Sequence, residues 1–136
     1  MSTVSLTYRG DLRVECTHNA SGTTLLTDAP VDNHGRGEGF SPTDLCATAL
    51  GACALTIIGI HCKEHGIDLD GATVDVTKAM SASPRRIGRL EVIIHMPPRG
   101  YSESQRAVIE ACARSCPVCL SLHPGVEQRI TFDWMA

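Results

Sequence analysis

The most constraining feature of the sequence is residues 45–60, a stretch without a charged side chain that is apolar all round at helical spacing. Ser41 can cap a helix here, Pro42 suits its first position, and Asp44 completes a variant of the capping box. Gly66 supplies a left-handed cap at the far end, so the sequence predicts one continuous helix that ends just before it. Because this helix lacks a polar face, we expect it to be buried on every side.

Small side chains leave this predicted helix with little bulk, so other backbone can pack very close to it. They are Ala47, Ala49, Gly51, Ala52 and Ala54. A chain of 136 residues can hardly surround such a helix alone, which predicts a homodimer. The charge-free stretch falls short of the roughly 18 residues of a membrane-spanning helix, so we expect no membrane partner.

The rest of the chain predicts strands and helices in an irregular order, which is typical of an α+β fold. The predicted strands are residues 4–16, 23–27, 72–80, 89–96 and 128–134; residues 29–39 form a glycine-rich loop; and two further helices begin at Ser102 and Pro117. Val108, Ile109, Cys112 and Ala113 should face inward from the helix after Ser102. Without a repeat or an interdomain linker, residues 1–136 should form a single domain.

Composition excludes several classes of function. The net charge is −3 and no run of like charge forms a basic face. We therefore expect the protein to bind neither nucleic acid nor a membrane surface. Residues 1–10 have neither a basic start nor an apolar stretch, so they do not resemble a secretion signal. An odd number of cysteines, seven, then reads as free thiols of a cytoplasmic protein rather than as a disulfide framework.

A cluster near the C-terminus, Cys112, Cys116, Cys119 and His123, has metal-ligand residue types. Its spacing formally matches the iron–sulfur motif of radical enzymes, but only 17 residues follow Cys119, and the spacing is not a common zinc pattern. We therefore expect no metal. Residues 116–119 (C-P-V-C) resemble a glutaredoxin motif placed too late in the chain, and a Cys116 at a helix N-cap should have a lowered pKa.

Two other features have plain structural interpretations when taken alone. Cys53 lies in the middle of the predicted buried helix, where a free cysteine usually packs as a small hydrophobe. His61 and His65 lie four apart on one helix face, as metal ligands can, but histidines also suit the last turn of a helix. We expect a solvated helix end there.

Two motifs resemble those of the OsmC/Ohr family, the osmotically inducible and organic-hydroperoxide-resistance proteins. Residues 41–45 (S-P-T-D-L), followed by a small-residue helix that reaches Cys53, are similar to the first signature of this family. Residues 113–119 (A-R-S-C-P-V-C) and the closing strand are similar to the second. Residues 8–12 (Y-R-G-D-L) also resemble the opening strand of the family, so the likeness runs from about Leu6 to Trp134.

The resemblance implies an intertwined homodimer with long central helices wrapped by antiparallel sheets, and a peroxidase of oxidative stress defence. Cys53 matches the peroxidatic cysteine of the family and Cys116 its resolving cysteine. A Cys53 thiolate would attack an organic hydroperoxide and become a sulfenic acid, with which Cys116 would form a disulfide. An external dithiol would reduce that disulfide, and no cofactor is implied.

The sequence departs from the family pattern around the expected arginine–acid pair. Thr43 stands where the family commonly has glutamate, and Asp44 is the nearest acid. Arg36 is our first candidate for the arginine of this pair, and Arg13 is the second. Cys119 stands where the family usually has serine.

These departures leave two alternatives to the peroxidase open. One is a non-catalytic OsmC-like dimer that binds a small molecule and whose cysteines are structural. The other is a redox-inert dimer whose cysteines only pack. Turnover of a hydroperoxide by the purified protein separates the enzyme from both.

Overall fold

The computed structural model describes residues 1–135, which form an α+β fold of six strands and three α-helices. The chain divides into two compact units, Met1–Cys46 and Ala47–Ala136. Each unit contains one three-stranded sheet. The α+β class predicted from the sequence is therefore confirmed.

The first unit holds an antiparallel sheet of β1 (Val4–Gly10), β2 (Arg13–His18) and β3 (Thr24–Asp28), in that order. The loop after β3 contains a short 3-10 helix, Val31–Asn33.

The prediction of a single strand over residues 4–16 was wrong. Gly10, Asp11 and Leu12 have φ angles of 89°, 53° and 62°, which turn the chain back on itself as a tight hairpin. Glycine and aspartate are common at positive φ in such turns, but a leucine at positive φ is uncommon. The turn places β1 beside β2, with Tyr8 paired to Val14.

The long helix α1 (Pro42–Glu64) begins and ends where the sequence predicts. The Ser41 hydroxyl accepts a hydrogen bond from the Asp44 amide at 3.1 Å, and the Asp44 carboxylate accepts one from the Ser41 amide at 3.0 Å. This reciprocal pair is the capping box. At the other end Gly66 has a φ of 65°, a left-handed conformation that terminates the helix.

The second unit contains a mixed sheet of β4 (Thr73–Ala82), β5 (Arg85–Met96) and β6 (Glu127–Trp134). Strands β4 and β5 form an antiparallel hairpin that extends beyond the predicted bounds, whereas β6 pairs parallel to β5. The expectation of antiparallel sheets was therefore wrong for this pair, because the connection from β5 to β6 is a helical crossover and not a hairpin. The predicted alternation of β5 is confirmed, because four of its side chains on one face are fully buried. They are Leu90, Val92, Ile94 and Met96.

Helices α2 (Glu103–Arg114) and α3 (Pro117–Ser121) connect β5 to β6. The predicted capping box of α2 is present: Ser102 accepts from the Gln105 amide, and the Gln105 side chain accepts from the Ser102 amide. Ile109 and Ala113 are buried, whereas Val108 is 43% exposed. The prediction that Val108 faces inward was wrong, because a position beside Ile109 lies about 100° around the helix from it.

Helix α1 buries one face and leaves the other exposed, in line with the expectation that one chain cannot surround it; burial of the second face by another copy stays a prediction. Its core side includes Leu50, Ala54 and Ile58, each 0% exposed. The opposite side is small and mostly apolar, and its exposed members are Ala49, Ala52, Thr56 and Ile60.

The helix is also longer than the charge-free stretch from which it was predicted. It has 23 residues and a mean hydropathy of 1.9 over its most apolar window, so by length and composition alone it could cross a membrane. The charge-free stretch alone, residues 45–60, is too short to cross a membrane. The core helix of a soluble protein passes the same test, and the buried side of α1 packs in the core of its unit.

Gly51 lets α1 approach β4 more closely than any residue with a side chain would allow. A Cβ atom at this position would lie 2.8 Å from Cγ2 of Val76 and 3.2 Å from Cγ1 of Val74. Both neighbours are β-branched residues with little freedom to move aside. Gly59, eight residues further along the same helix, differs because its Cβ would lie 3.7 Å from the Leu69 side chain, an ordinary contact.

We therefore predict that Gly51→Ala lowers the free energy of unfolding by about 1–3 kcal/mol through overpacking, despite the better helix propensity of alanine. Gly59→Ala is the matched control, and should leave stability unchanged or raise it by up to about 1 kcal/mol. Urea-induced unfolding of the two variants measures the difference. Equal free energies for Gly51→Ala and Gly59→Ala would contradict the close approach.

Candidate active site

The thiols of Cys53 and Cys116 are neighbours, although 63 positions separate the two residues in the sequence. Cys53 lies on α1 and is partly exposed, whereas Cys116 is the N-cap residue of α3 and is fully buried. Their side chains interact by hydrogen bonding. The two cysteines that the motifs singled out thus lie together in the second unit.

The end of α2 and the start of α3 hold Cys116 in the core. Pro117 disfavours helical geometry at the preceding residue, and Cys116 accordingly has an extended backbone with φ −67° and ψ 148°. Its side chain joins the buried cluster that contains Leu50, Ala54 and Ile109. Cys53 lies between Leu50 and Ala54 on α1, at the border between the buried and exposed sides of the helix.

The pKa of the Cys116 thiol is raised above its usual value, chiefly because burial disfavours the thiolate. The Cys119 amide, which donates to the Cys116 sulfur at 3.3 Å, lowers this pKa, and the hydrogen bond with Cys53 raises it further. The sequence analysis predicted a lowered pKa from the N-cap position. That prediction was wrong, because the loss of solvent outweighs one backbone donor.

Cys119 lies beside Cys116 but has different surroundings. It is partly exposed, and its thiol donates a hydrogen bond to the backbone oxygen of Arg114 at 3.4 Å. The side chain of Gln128 donates to the backbone oxygen of Cys119 at 3.0 Å, which ties α3 to the start of β6. Cys53 and Cys119 therefore both influence the buried thiol of Cys116.

The supporting residues proposed from the sequence, Arg36 and Asp44, lie in the first unit. Asp44 is part of the capping box of α1, the structural alternative for this acid. Arg36 is exposed and makes no hydrogen bond or ion pair with any other part of residues 1–135. Its assignment as the partner arginine stays a prediction.

The first unit contains an exposed ion pair between Arg9 and Glu15, at 2.7 Å, and a set of arginine–acid contacts around Arg13. Its guanidinium lies 2.6 Å from a carboxylate oxygen of Glu38 and 3.5 Å from one of the buried Asp28. The hydrogen bond to Glu38, with Asp28 adding to it, holds the pKa of Arg13 above its usual value. Sequence reasoning missed both acids, although the direct pairing of Arg13 with Asp28 across β2 and β3 follows once the hairpin register is known.

The histidines and the C-terminal cysteines do not form a ligand set. Within residues 1–135 no group of three or more histidine, cysteine, aspartate or glutamate side chains is arranged to hold a metal ion. Nδ1 of His123 accepts a hydrogen bond from the Gly125 amide at 2.8 Å. His61 and His65 stack their rings, with centroids 4.2 Å apart, at the end of α1.

A separate open cleft of about 560 Å³ lies at the C-terminal end of α1. Its walls include Leu55, Gly59 and Cys62 from the helix and residues 67–72 from the following loop. Cys62 is 1% exposed, and burial raises its pKa, with a smaller effect from Cys112. Cys53 and Cys116 are not part of this cleft.

Comparison with known proteins gives a consistent assignment. Residues 35–131 match the family described as OsmC-like protein. A solved structure from Psychrobacter arcticus 273-4, provisionally described as an osmotic stress induced and detoxification response protein, is 43% identical. Its TM-score is 0.94, and the alignment covers 98% of this chain and 96% of the other. No curated protein matches the chain.

More distant structures share the fold. The organic hydroperoxide resistance protein OsmC of Legionella pneumophila is 17% identical, with a TM-score of 0.76 and 98% of each chain covered. A Vibrio cholerae protein, provisionally described as an organic hydroperoxide resistance protein and solved with captopril in one active site, is 16% identical. Its TM-score is 0.73, with 97% of this chain and 92% of the other covered. The chain belongs to the OsmC-like protein family, as its motifs suggested.

The burial of Cys116 predicts how its thiol responds to pH. Because Cys116 is buried and its folded pKa is raised, iodoacetamide should alkylate it poorly in the native chain even at a pH where an ordinary cysteine reacts, and readily at that pH in the urea-denatured chain. Mass spectrometry of each cysteine-containing peptide measures this. If the native and denatured profiles of Cys116 coincide, the burial argument is contradicted.

Proposed function

We propose that this protein is a thiol-dependent peroxidase that reduces organic hydroperoxides, with Cys53 as the peroxidatic and Cys116 as the resolving cysteine. The observation that carries the proposal is the contact between these two thiols in the core of the second unit. Membership of a family that contains organic hydroperoxide resistance proteins supports it.

Solvent access distinguishes the roles of the two thiols. A hydroperoxide can reach Cys53, which is partly exposed, but it cannot reach Cys116, which is 0% exposed. Cys53 packs against the apolar core of its unit, and such surroundings suit an organic peroxide better than a very polar one. Cys53 therefore reacts first.

The reaction proceeds in three balanced steps. The Cys53 thiolate attacks the terminal oxygen of the hydroperoxide, the O–O bond breaks, and a sulfenic acid is left at Cys53; the alkoxide takes up the proton that Cys53 gave to solvent and leaves as an alcohol. The Cys116 sulfur then attacks the Cys53 sulfur, a disulfide forms, and the sulfenic oxygen leaves as water. An external dithiol reduces the disulfide and is itself oxidised, which restores both thiols.

Replacement of single cysteines by serine tests these roles. Cys53→Ser should abolish consumption of cumene hydroperoxide in the presence of dithiothreitol, because the remaining thiols lack access or position. Cys16→Ser, the same change in the first unit, is the control and should leave consumption unchanged. Consumption by Cys53→Ser at the rate of the unchanged protein would contradict the proposal.

The double variant Cys116→Ser/Cys119→Ser tests the second step. It should consume about one equivalent of peroxide and then stop, with a sulfenic acid at Cys53 that dimedone labels. Labelling is read by mass spectrometry of the Cys53 peptide. Full turnover by this variant would show that neither thiol resolves Cys53. Stabilisation by a ligand without any turnover by the unchanged protein would favour the binding-protein alternative.

We further propose that the exposed side of α1 is covered by a second copy of the chain. This side is small and mostly apolar, and a two-fold contact would give the helix the burial that its composition predicts. The seven free cysteines support a cytoplasmic location, where thiols stay reduced.

Sedimentation equilibrium tests this assembly. The unchanged protein should sediment as two chains at micromolar concentration, and Ala52→Arg should lower that mass by placing a charge at the centre of the contact. Ala111→Arg, at an exposed position of α2, is the control and should leave the dimer intact. A stable, folded monomer of the unchanged protein would contradict the dimer.

A further inference from the structure

Cys119 takes no part in the three steps of the proposed reaction, although its position relative to Cys116 is well defined. It is the third residue of α3, and Cys116 is the N-cap residue. In a capping box a side chain at this third position reaches back to the N-cap residue, so the Cys119 thiol has a short path to the Cys116 sulfur. The Cys119 amide already donates to that sulfur at 3.3 Å.

The Cys119 thiol donates one hydrogen bond, to the Arg114 backbone oxygen at 3.4 Å. A bond to Cys116 requires the Cys119 side chain to rotate away from this contact. The backbone between the two cysteines is held by the hydrogen bond from the Leu120 amide to the Cys116 oxygen at 3.1 Å.

The three thiols differ in their access to solvent in a way that matters for reduction. A disulfide between Cys53 and Cys116 and one between Cys116 and Cys119 would each pair the buried Cys116 sulfur with the sulfur of a partly exposed residue. They differ in where that second sulfur lies. Cys53 lies in the middle of the 23-residue helix α1, whereas Cys119 lies on the five-residue helix α3, next to Leu120, which is 73% exposed.

We propose that Cys119 is a second resolving thiol that moves the oxidised bond from the Cys53–Cys116 pair to the Cys116–Cys119 pair. This proposal rests on the proposed peroxidase function. The Cys119 thiolate attacks the Cys116 sulfur, a Cys116–Cys119 bond forms and the Cys53–Cys116 bond breaks. Cys53 leaves as a thiolate and takes up the proton that Cys119 gave to solvent, with no net oxidation in this step.

The transfer has two consequences for the cycle. Cys53 returns to its reduced form before any reductant arrives, so it can meet the next peroxide sooner. The external dithiol then attacks a disulfide at the start of α3, preferentially at the accessible sulfur of Cys119, and both thiols of α3 are restored as the dithiol is oxidised.

The location of the disulfide after a single turnover tests the transfer. The unchanged protein, given one equivalent of cumene hydroperoxide without reductant, should hold a Cys116–Cys119 disulfide and an alkylatable Cys53. Cys119→Ser should hold a Cys53–Cys116 disulfide. Peptide mapping by mass spectrometry reads both bonds.

Steady-state kinetics provide a second readout. With limiting dithiothreitol, Cys119→Ser should turn over about tenfold more slowly, because Cys53 then stays oxidised until the dithiol arrives, while its first equivalent of peroxide is consumed at an unchanged rate. Cys112→Ser, in the neighbouring helix, is the control and should keep the turnover of the unchanged protein.

Failure of the transfer is distinguishable from failure of the peroxidase mechanism. A Cys53–Cys116 disulfide in both proteins, with equal turnover, would overturn the transfer and leave the peroxidase mechanism intact. A Cys116–Cys119 disulfide formed by peroxide in Cys53→Ser would overturn both, because the C-P-V-C segment would then be the site of attack.

Discussion

The close approach of α1 to β4 at Gly51 sets the position of the thiols that the proposed chemistry uses. It lets the buried side of the helix enter the core, where Leu50 and Ala54 join the same cluster as Cys116. Cys53, which lies between these two residues, is thereby held against the start of α3. A bulkier residue at position 51 would have to displace Val74 or Val76, and with them the sheet on which the helix rests.

Solvent access is the physical quantity that separates three chemically identical side chains. Cys53 is partly exposed on α1, Cys116 is fully buried, and Cys119 is partly exposed at the start of a short helix. Burial raises the pKa of the Cys116 thiol because it disfavours the thiolate. The order of events in the proposed cycle follows from the difference in access between Cys53 and Cys116.

Local signals in the sequence were enough for the helices and most strands. Ser41 and Asp44, Ser102 and Gln105, and the proline after Cys116 each act within a few residues of themselves, so their effects can be predicted without tertiary structure. The hairpin turn at Asp11 and Leu12 was missed because a leucine at positive φ carries no recognisable signal.

The site shows the limit of such local reasoning. Motifs identified Cys53 and Cys116, but the sign of the pKa shift at Cys116 depends on burial by residues far away in the chain, and the N-cap position alone gave the wrong sign. The contacts of Arg13 with Asp28 and Glu38 required the register of β2 against β3 and the path of the following loop. The exposed side of α1 likewise depends on which distant parts of the chain pack against the helix.

A crystal structure of the Cys119→Ser protein after reaction with one equivalent of cumene hydroperoxide tests the central claim most directly. The account predicts a bond of about 2.05 Å between the sulfurs of Cys53 and Cys116, with α1 still packed on β4 through Gly51. A structure in which Cys53 is reduced, while another cysteine carries the oxidation, would contradict it.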